Sequence, residues 1–511
     1  MFEAAELGRT VSKSEFREQA PQLRWELLQL QQRLRQAPFP VLVIFAGVDG
    51  AGKSEAVNLL NAWMDPRWIV TRSFAEPTEE ERQRPEYWRY WRSLPRAGTL
   101  GLFLSTWYSA PLLERVYRKI GGADFEQRLQ RILQFERLLA NDGALILKFW
   151  MHLGKAAQKK RLKTLERSRL TRWRVTEQSW KHWRMYRKFV VAAEQAIRRT
   201  STGQAPWHIV EGLDSNYRTL IVATRLRDAI RQRLDESSGK AGAAAAIPEE
   251  PNESGARPTR GARELLRRVA RRRSILAQLD MKQSLAKKTF GVELETYQGR
   301  LNQLQRRAQQ CGISTILVFE GWDAAGKGGA IRRLTAALDA RSCQVLPIAA
   351  PSDEERAHHY LWRFWRHLSD AGRITIFDRS WYGRVLVERV EGLASPQQWL
   401  RAYNEINQFE EQLVEHGIVL VKYWMHITKE EQLRRFRLRK GSAYKRWKLT
   451  ADDWRNRKKW AEYELAVNDM IERTSTRTAP WTLIEGNDKN FARIKVLRTA
   501  CSRLQAGLKN R

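Results

Sequence analysis

The chain has 511 residues, 42% of them hydrophobic, which is length and apolar content for two to four domains with real cores. No apolar run reaches the ~18 residues of a membrane span, and the first nine residues carry acids rather than the apolar core of a signal peptide. Lys plus Arg number 91 against 57 Asp plus Glu, a net charge of +34 that repels itself unless it meets a polyanion: nucleic acid, an anionic membrane surface or inorganic polyphosphate.

In chain order, a polar helical stretch at 22–36 precedes a glycine loop, GVDGAGKS, at 47–54. Landmarks follow at Trp88, Trp107-Tyr108, 148–152 (KFWMH) and Ala205-Pro206-Trp207. Residues 236–261 are rich in Ala, Gly, Pro and Ser, without periodicity, and read as a flexible linker. The chain then repeats itself. A second polar helical stretch lies at 294–310, and GWDAAGKG at 321–328 matches the first loop, with Lys53 and Lys327 standing 274 residues apart. The same offset pairs Trp107-Tyr108 with Trp381-Tyr382, KFWMH with KYWMH at 422–426, and Pro206-Trp207 with Pro480-Trp481. No insertion or deletion is needed, so the chain is a tandem duplication.

Each copy reads as α/β. In the second, strands are expected at 315–320, 345–349, 374–378, 418–423 and 482–485, with a helix over 331–338 after the loop. Strands alternating with helices imply a parallel, doubly wound sheet. The expected domains are 1–235, a linker at 236–262, and 263–511. Cys311, Cys343 and Cys501 make no disulfide framework, which suits a soluble protein of the reducing cytoplasm.

Three elements carry chemistry. Gly321 to Lys327 follow a strand and open a helix, the setting of a phosphate-binding loop. There Gly321, Gly326 and Gly328 let backbone N–H groups turn inward, the helix N-terminus adds positive charge, and Lys327 brings an ammonium to phosphate oxygens. Gly328 stands where such loops usually carry a Ser or Thr for Mg²⁺, and Asp323 could take over part of that duty. Next, Asp378 and Arg379 end a strand expected beside the loop. A carboxylate there is where such kinases hold Mg²⁺, and Arg379 would sit by the transferring phosphoryl group. The plainer reading makes Asp378 a cap for the next helix. The last is the basic run Arg434, Arg435, Arg437, Arg439, Lys440 and Lys445-Arg446-Trp447-Lys448, either a solvated helix face or a cationic lid that closes over phosphates.

GWDAAGKGG, FDRSWYGRVLVERV, KYWMHI, YKRWKLTADDWRNR and TAPWTLIEGNDKNFARIKVLR resemble the polyphosphate kinase 2 family across nearly the whole second copy. The two-copy layout resembles the branch of that family that phosphorylates AMP. The resemblance implies a P-loop kinase fold: a parallel sheet sandwiched by helices, with a helical lid, related to thymidylate kinases. It implies Mg²⁺ as cofactor and linear polyphosphate and AMP or ADP as partners. Carried onto this sequence, Asp323, Lys327 and Arg332 fall to the loop, Asp378, Arg379, Arg384 and Glu388 to the second motif, and Arg439, Lys445, Arg446 and Asp453 to the lid. Asp323, Lys327, Asp378, Arg379 and Arg439 become the expected catalytic set, with Asp323 and Asp378 on the metal. Gly321, Gly326, Gly328, Arg332, Arg384, Lys445 and Arg446 would bind phosphates, supported by Glu388 and Asp453.

The first copy departs at those positions. Leu104 stands for Asp378, Ser105 for Arg379, Asn58 for Arg332, Ala110 for Arg384, Leu165 for Arg439, Thr171 for Lys445 and Ser179 for Asp453. Lys53, Asp49 and Glu114 remain, and 14 of the 21 tryptophans fall in seven pairs at the same offset. The first copy therefore reads as a degenerate enzyme that serves folding, assembly or polyphosphate docking. The competing readings are a polyphosphate-dependent ADP or GDP kinase, an ATP-dependent nucleotide kinase, and a nucleic-acid-binding P-loop protein. Against the last, the sequence has no finger motif or RNP-type stretch. Membrane and nucleic acid are not expected partners; a homo-oligomer is left open.

Overall fold

The computed structural model of the chain describes residues 1–245, 274–441 and 449–509, with side chains for all of these except 238–245. It contains two compact units: residues 1–77, 89–245 and 352–359, and residues 78–88, 274–351, 360–441 and 449–509. No helix among the described residues is long and apolar enough to cross a membrane. The three cysteines are free thiols.

The first unit holds β1 (Val41–Gly47), β2 (Ile69–Ser73), β3 (Leu100–Leu104), β4 (Leu145–His152) and β5 (Trp207–Glu211) in the order β2-β3-β1-β4-β5. The second holds β6 (Thr315–Gly321), β7 (Cys343–Pro347), β8 (Ile374–Asp378), β9 (Val419–His426) and β10 (Trp481–Glu485) in the equivalent order. Every pairing in both sheets is parallel. VLVIFAG and TILVFEG are near-continuous apolar runs because helices flank the sheets and leave the central strands no wet face. In each sheet the central strand lies between the third and fourth strands of its unit. That reversal opens a crevice at the carboxyl ends, where α/β proteins bind ligands.

The expected strands appear with small shifts. Pairing of β7 starts at Cys343, two residues early, because Asp339 caps the turn Ala340–Ser342 just before it. The helix after the loop is Lys327–Thr335 rather than 331–338, since Gly326 at φ 111° already serves as its cap. The helix Ser215–Ala245 runs into the stretch read as linker, whose residues 246–262 lie outside the described residues.

The shared landmarks turn out to be one buried ion pair in each unit. Lys422 Nζ lies 2.7 Å from Glu410 Oε2 and donates to Thr474 O at 2.8 Å, while Trp381 Nε1 and Tyr382 OH donate to Glu410 Oε1 at 3.0 and 2.7 Å. Lys148 and Glu136 repeat this with Thr200, Trp107 and Tyr108, at 2.6 Å between the charges. Burial pulls both lysines below their ordinary pKa, and the facing carboxylate opposes it. Removing one partner of such a pair leaves an uncompensated buried charge. This explains why Trp-Tyr and the strand lysine persist in both copies. The tryptophan pairs 88/362, 91/365, 107/381 and 150/424 are buried in both units, whereas Trp173 is 71% exposed and Trp454 39%, so the paired tryptophans are not all core.

Candidate active site

In the second unit the loop after β6 needs its glycines. Gly321, at φ 148°, leaves no room for a Cβ against Met425 O. Gly328 faces open space, so its lack of a hydroxyl is not a steric requirement. Lys327 Nζ donates to Gly321 O at 2.7 Å. The loop is fastened by Arg435, whose guanidinium donates to the carbonyls of Ala324, Ala325 and Asn487 at 2.9, 3.0 and 3.0 Å and to Gly486 O, with Glu431 on its Nε. Arg435 is 4% exposed, and burial lowers its pKa. The basic run thus splits: Arg435 is a structural bolt, Arg434 is paired with Glu431 at 2.6 Å, and Arg439 stands on the helix Lys429–Lys440. Lys445 and Arg446 lie outside the described residues.

β6 and β8 pair with Phe319 opposite Asp378, which sets Asp378 beside the start of the loop. Arg379 follows at φ 68°, its N–H donating to Phe319 O at 3.0 Å. A non-glycine residue in that region is held there by its surroundings. Its side chain is 59% exposed and reaches Asp323 Oδ1 at 3.5 Å. Asp323 Oδ2 also accepts from Asn456 Nδ2 at 2.8 Å. Beneath them Glu320, 6% exposed, accepts from Ser380 Oγ at 2.8 Å. Burial pushes the Glu320 carboxyl up to about 7, opposed first by Lys327. Arg384 pairs with Glu388 at 2.9 Å, its guanidinium 4.6 Å from the Tyr360 ring centre. Arg332 is exposed on the loop helix.

Asp453 makes a local capping contact. Its Oδ2 accepts the Thr450 N–H at 2.8 Å and its own N–H donates to Thr450 Oγ1 at 3.4 Å, a capping box opening the helix Ala451–Lys458. Burial and the Asp323 charge raise its pKa.

The first unit keeps the loop in different surroundings. Lys53 Nζ donates to Gly47 O at 2.8 Å, and Asp49 Oδ2 sits 2.6 Å from His182 Nδ1, where the second unit has Asn456. Ser105 retains the positive φ of Arg379, at 49°, without its charge. Glu55 occupies the position of Gly329. It pairs with Arg218, with Arg161 at 2.8 Å and with Arg174 at 3.4 Å. Arg218 lies against Gly52, leaving that glycine no room for a Cβ. The anion partner of these guanidiniums is the chain's own carboxylate.

Residues 10–238 and 284–511 each match the family model described as polyphosphate kinase 2. The chain belongs to the polyphosphate kinase 2 family. A polyphosphate:AMP phosphotransferase of Pseudomonas aeruginosa is 47% identical over 100% of this chain and 99% of its own length. One from Acinetobacter johnsonii is 34% identical over 91% of each chain. A crystal structure of a polyphosphate kinase 2 from P. aeruginosa superposes with a TM-score of 0.87 at 46% identity, covering all of both chains. A GDP-polyphosphate phosphotransferase of Mycobacterium tuberculosis is 38% identical over 41% of this chain and 70% of its own.

Within this kinase the structure brings Asp323, Lys327, Asp378 and Arg379 to one edge of the sheet, has Arg439 line a cavity together with loop residues, and sets Arg384 and Glu388 in a pair of their own. Sequence reasoning missed Glu320, Asn456 and the loop-fastening role of Arg435. A signal for the first two lay in the duplication, since Ala46 and His182 replace them. Arg435 gave none, because Arg161 matches it and a buried arginine in a basic run looks like its neighbours.

Proposed function

We propose that this enzyme moves a phosphoryl group from inorganic polyphosphate to AMP, giving ADP, with Mg²⁺, and that the second unit does the chemistry. One observation carries the assignment to that unit. Only there does a strand-end carboxylate and arginine, Asp378-Arg379, stand beside a loop whose helix carries glycine rather than Glu55 at the third position. The acceptor follows the full-length relatives named for AMP.

An oxygen of the AMP phosphate attacks the terminal phosphorus of the polyphosphate. The new P–O bond forms as the bridging P–O bond breaks, and the shortened chain leaves with the electron pair. AMP phosphate is already anionic, so no protein base or nucleophile is required, and the work is alignment and charge neutralisation. Loop N–H groups and Lys327 hold the donor phosphates, and Arg379 and Arg439 face the charge that develops on the transferring group. Asp323 and Asp378 present hard oxygen donors that fit Mg²⁺, which would neutralise phosphate oxygens between donor and acceptor. Among the described residues no cluster of three or more His, Cys, Asp or Glu could close a metal cage alone. That suits a cation completed by substrate phosphates and water. Arg332, Arg384, Lys445 and Arg446 add phosphate contacts, and Glu388 orients Arg384. Free thiols and a nucleotide acceptor fit the cytoplasm.

A second reading, with ADP or GDP as acceptor, draws on single-unit relatives named for GDP and ADP that align with 39% and 43% of this chain. The test is ATP-free enzyme mixed with long-chain polyphosphate, Mg²⁺ and each of AMP, ADP, GMP and GDP, with the products separated. ADP formed from AMP supports the reading; product only from the diphosphates overturns it.

A further inference from the structure

In the first unit the chain after β4 runs through the helix Lys155–Arg167, the short turn Arg172–Arg174 and the helix Glu177–Arg184. Residues 155–188 hold 13 Lys and Arg and only two acids, Glu166 and Glu177. Arg161 and Arg174 are taken up by Glu55. Lys160, Lys163, Arg167, Arg169 and Arg172 are exposed, and among the described residues their side chains have neither an ion pair nor a hydrogen bond. Trp173 is exposed among them, and Lys155 and Lys159 stand 5.2 and 5.0 Å from the Trp183 ring centre.

The matching stretch of the second unit, 429–462, also has 13 cations, but it has five acids: Glu430, Glu431, Asp452, Asp453 and Glu462. There the acids hold cations, Glu431 with Arg434 and Arg435, and Asp452 with Arg455. In the first unit Ala156, Ala157, Gln178, Ser179 and Lys188 stand at those five positions. This copy thus lacks the crevice charges that match Asp378, Arg379, Arg332 and Arg384, yet it has the full count of cations on this surface segment and none of the matching acids. A scaffold role does not call for that pattern, because like charges on neighbouring turns repel. A face that only keeps a protein in solution carries both signs. A flexible polyanion laid along these cations relieves the repulsion and releases its condensed counterions.

We infer that this segment of the first unit is a docking surface for inorganic polyphosphate, which holds the body of a long donor chain while its end reacts in the second unit. The inference rests on polyphosphate being the donor, and it gives the first unit a share in donor binding apart from its self-occupied loop. Docking keeps the chain on the enzyme between turnovers and raises the effective concentration of its end, so long chains gain and short chains do not. The exposed cations bind and take no part in bond making.

The experiment uses the full chain carrying Lys160→Gln, Lys163→Gln, Arg167→Gln, Arg169→Gln and Arg172→Gln together. The control removes five exposed cations elsewhere on the first unit, Lys13, Arg17, Arg24, Arg72 and Arg225, also as glutamines. A second variant, Ala156→Glu with Ala157→Glu, restores two acids of the second unit and leaves every cation in place. Binding of long-chain polyphosphate without nucleotide is followed across a salt series, and ADP formation is measured with long and with short chains. The five-site variant should bind long chains about tenfold more weakly at low salt, and the slope of log affinity against log salt should shrink by up to about 0.7 per cation removed. Its KM for long chains should rise in step, while kcat, the AMP KM and the KM for short chains stay put. The glutamate variant should also weaken long-chain binding. Unchanged long-chain affinity in both variants overturns the docking surface. So does an equal loss in the control, which would make the effect bulk charge, or an equal loss with short chains, which would place these residues at the reacting end. Single-stranded RNA of matched charge is a further arm: loss of RNA binding with polyphosphate binding intact gives the surface to nucleic acid and overturns the inference. If wild-type enzyme binds polyphosphate yet makes no ADP, the proposed function falls while the salt series still judges the surface.

Discussion

The two units fold the same sheet in the same strand order, and they differ at the mouth of the crevice rather than beneath it. Both bury a Lys–Glu pair under Trp and Tyr, both carry a lysine on a glycine loop, and both hold the loop aspartate from a later helix, through His182 in one and Asn456 in the other. Only the second presents a carboxylate and an arginine at the strand end. The first fills the matching place with Glu55 and its guanidinium partners. A phosphate loop is therefore not sufficient evidence of a phosphate site. What its first helical turn carries, and what faces it, decide whether an anion is bound or supplied from within. The expectation of polyphosphate docking in the first copy is least favoured at this loop, where a carboxylate already holds the cations.

The largest effect should be on stability and should treat the units alike. Glu136→Ala and Glu410→Ala each strand a buried lysine, at a cost of about 3–5 kcal/mol. Denaturant unfolding of the full chain should show a loss in both variants. A variant as stable as wild type would show that the pair in that unit is not the internal support described above.

Catalysis should separate the units. Asp378→Asn and Lys327→Ala are expected to lower the rate of ADP formation on the order of 10²–10³-fold, the usual cost of one charge-stabilising group. Lys53→Ala should stay within about twofold. If Lys53→Ala abolishes transfer while Asp378→Asn spares it, the active unit is the other one.

Glu320 has no counterpart in the first unit, where Ala46 stands. Its folded pKa, about 7, lies above its ordinary 4.5. The folded state thus holds the proton more tightly. Stability from this group is full at low pH and falls as pH rises from about 4.5 through 7, by up to ~3 kcal/mol. Urea midpoints across pH 5–8 should decline in wild type and flatten in Glu320→Gln. Parallel declines in both would place the titration elsewhere.

Much of this was legible in the sequence because it rests on local rules. The glycine loops, the apolar strands ending on them and the constant offset between copies each have a short-range cause, and β6 and β8 appear where the pattern set them. Strand order placed Asp378 beside the loop, as a doubly wound sheet requires. What was not legible has another cause. Arg435, Arg439 and Asp453 look alike as charges in a polar stretch, yet one is a buried bolt, one lines a cavity and one caps a helix. Those fates depend on which side of a helix meets the loop, and composition does not encode that.

The smallest effect concerns Asp453, and it discriminates sharply. Two roles compete: orienting a cation or metal-bound water in a closing lid, or capping the helix Ala451–Lys458. The geometry favours the cap, since Asp453 Oδ2 accepts the Thr450 N–H and Thr450 Oγ1 accepts the Asp453 N–H. The first unit makes the same reciprocal contact with Thr176 and Ser179, both at 3.3 Å, so a serine can close this box. Asp453→Ser therefore keeps the cap and removes only the charge. Loss of a helix cap typically costs ~1 kcal/mol, so the serine variant should lose less than that. Removing a buried carboxylate that burial and Asp323 already disfavour offsets part of the loss. The rate of ADP formation should change less than about threefold, with the polyphosphate KM unmoved. Asp453→Ala, which also removes the cap, should be the less stable of the two. A hundredfold fall in kcat for Asp453→Ser at wild-type stability would return Asp453 to the phosphoryl group and end the capping account.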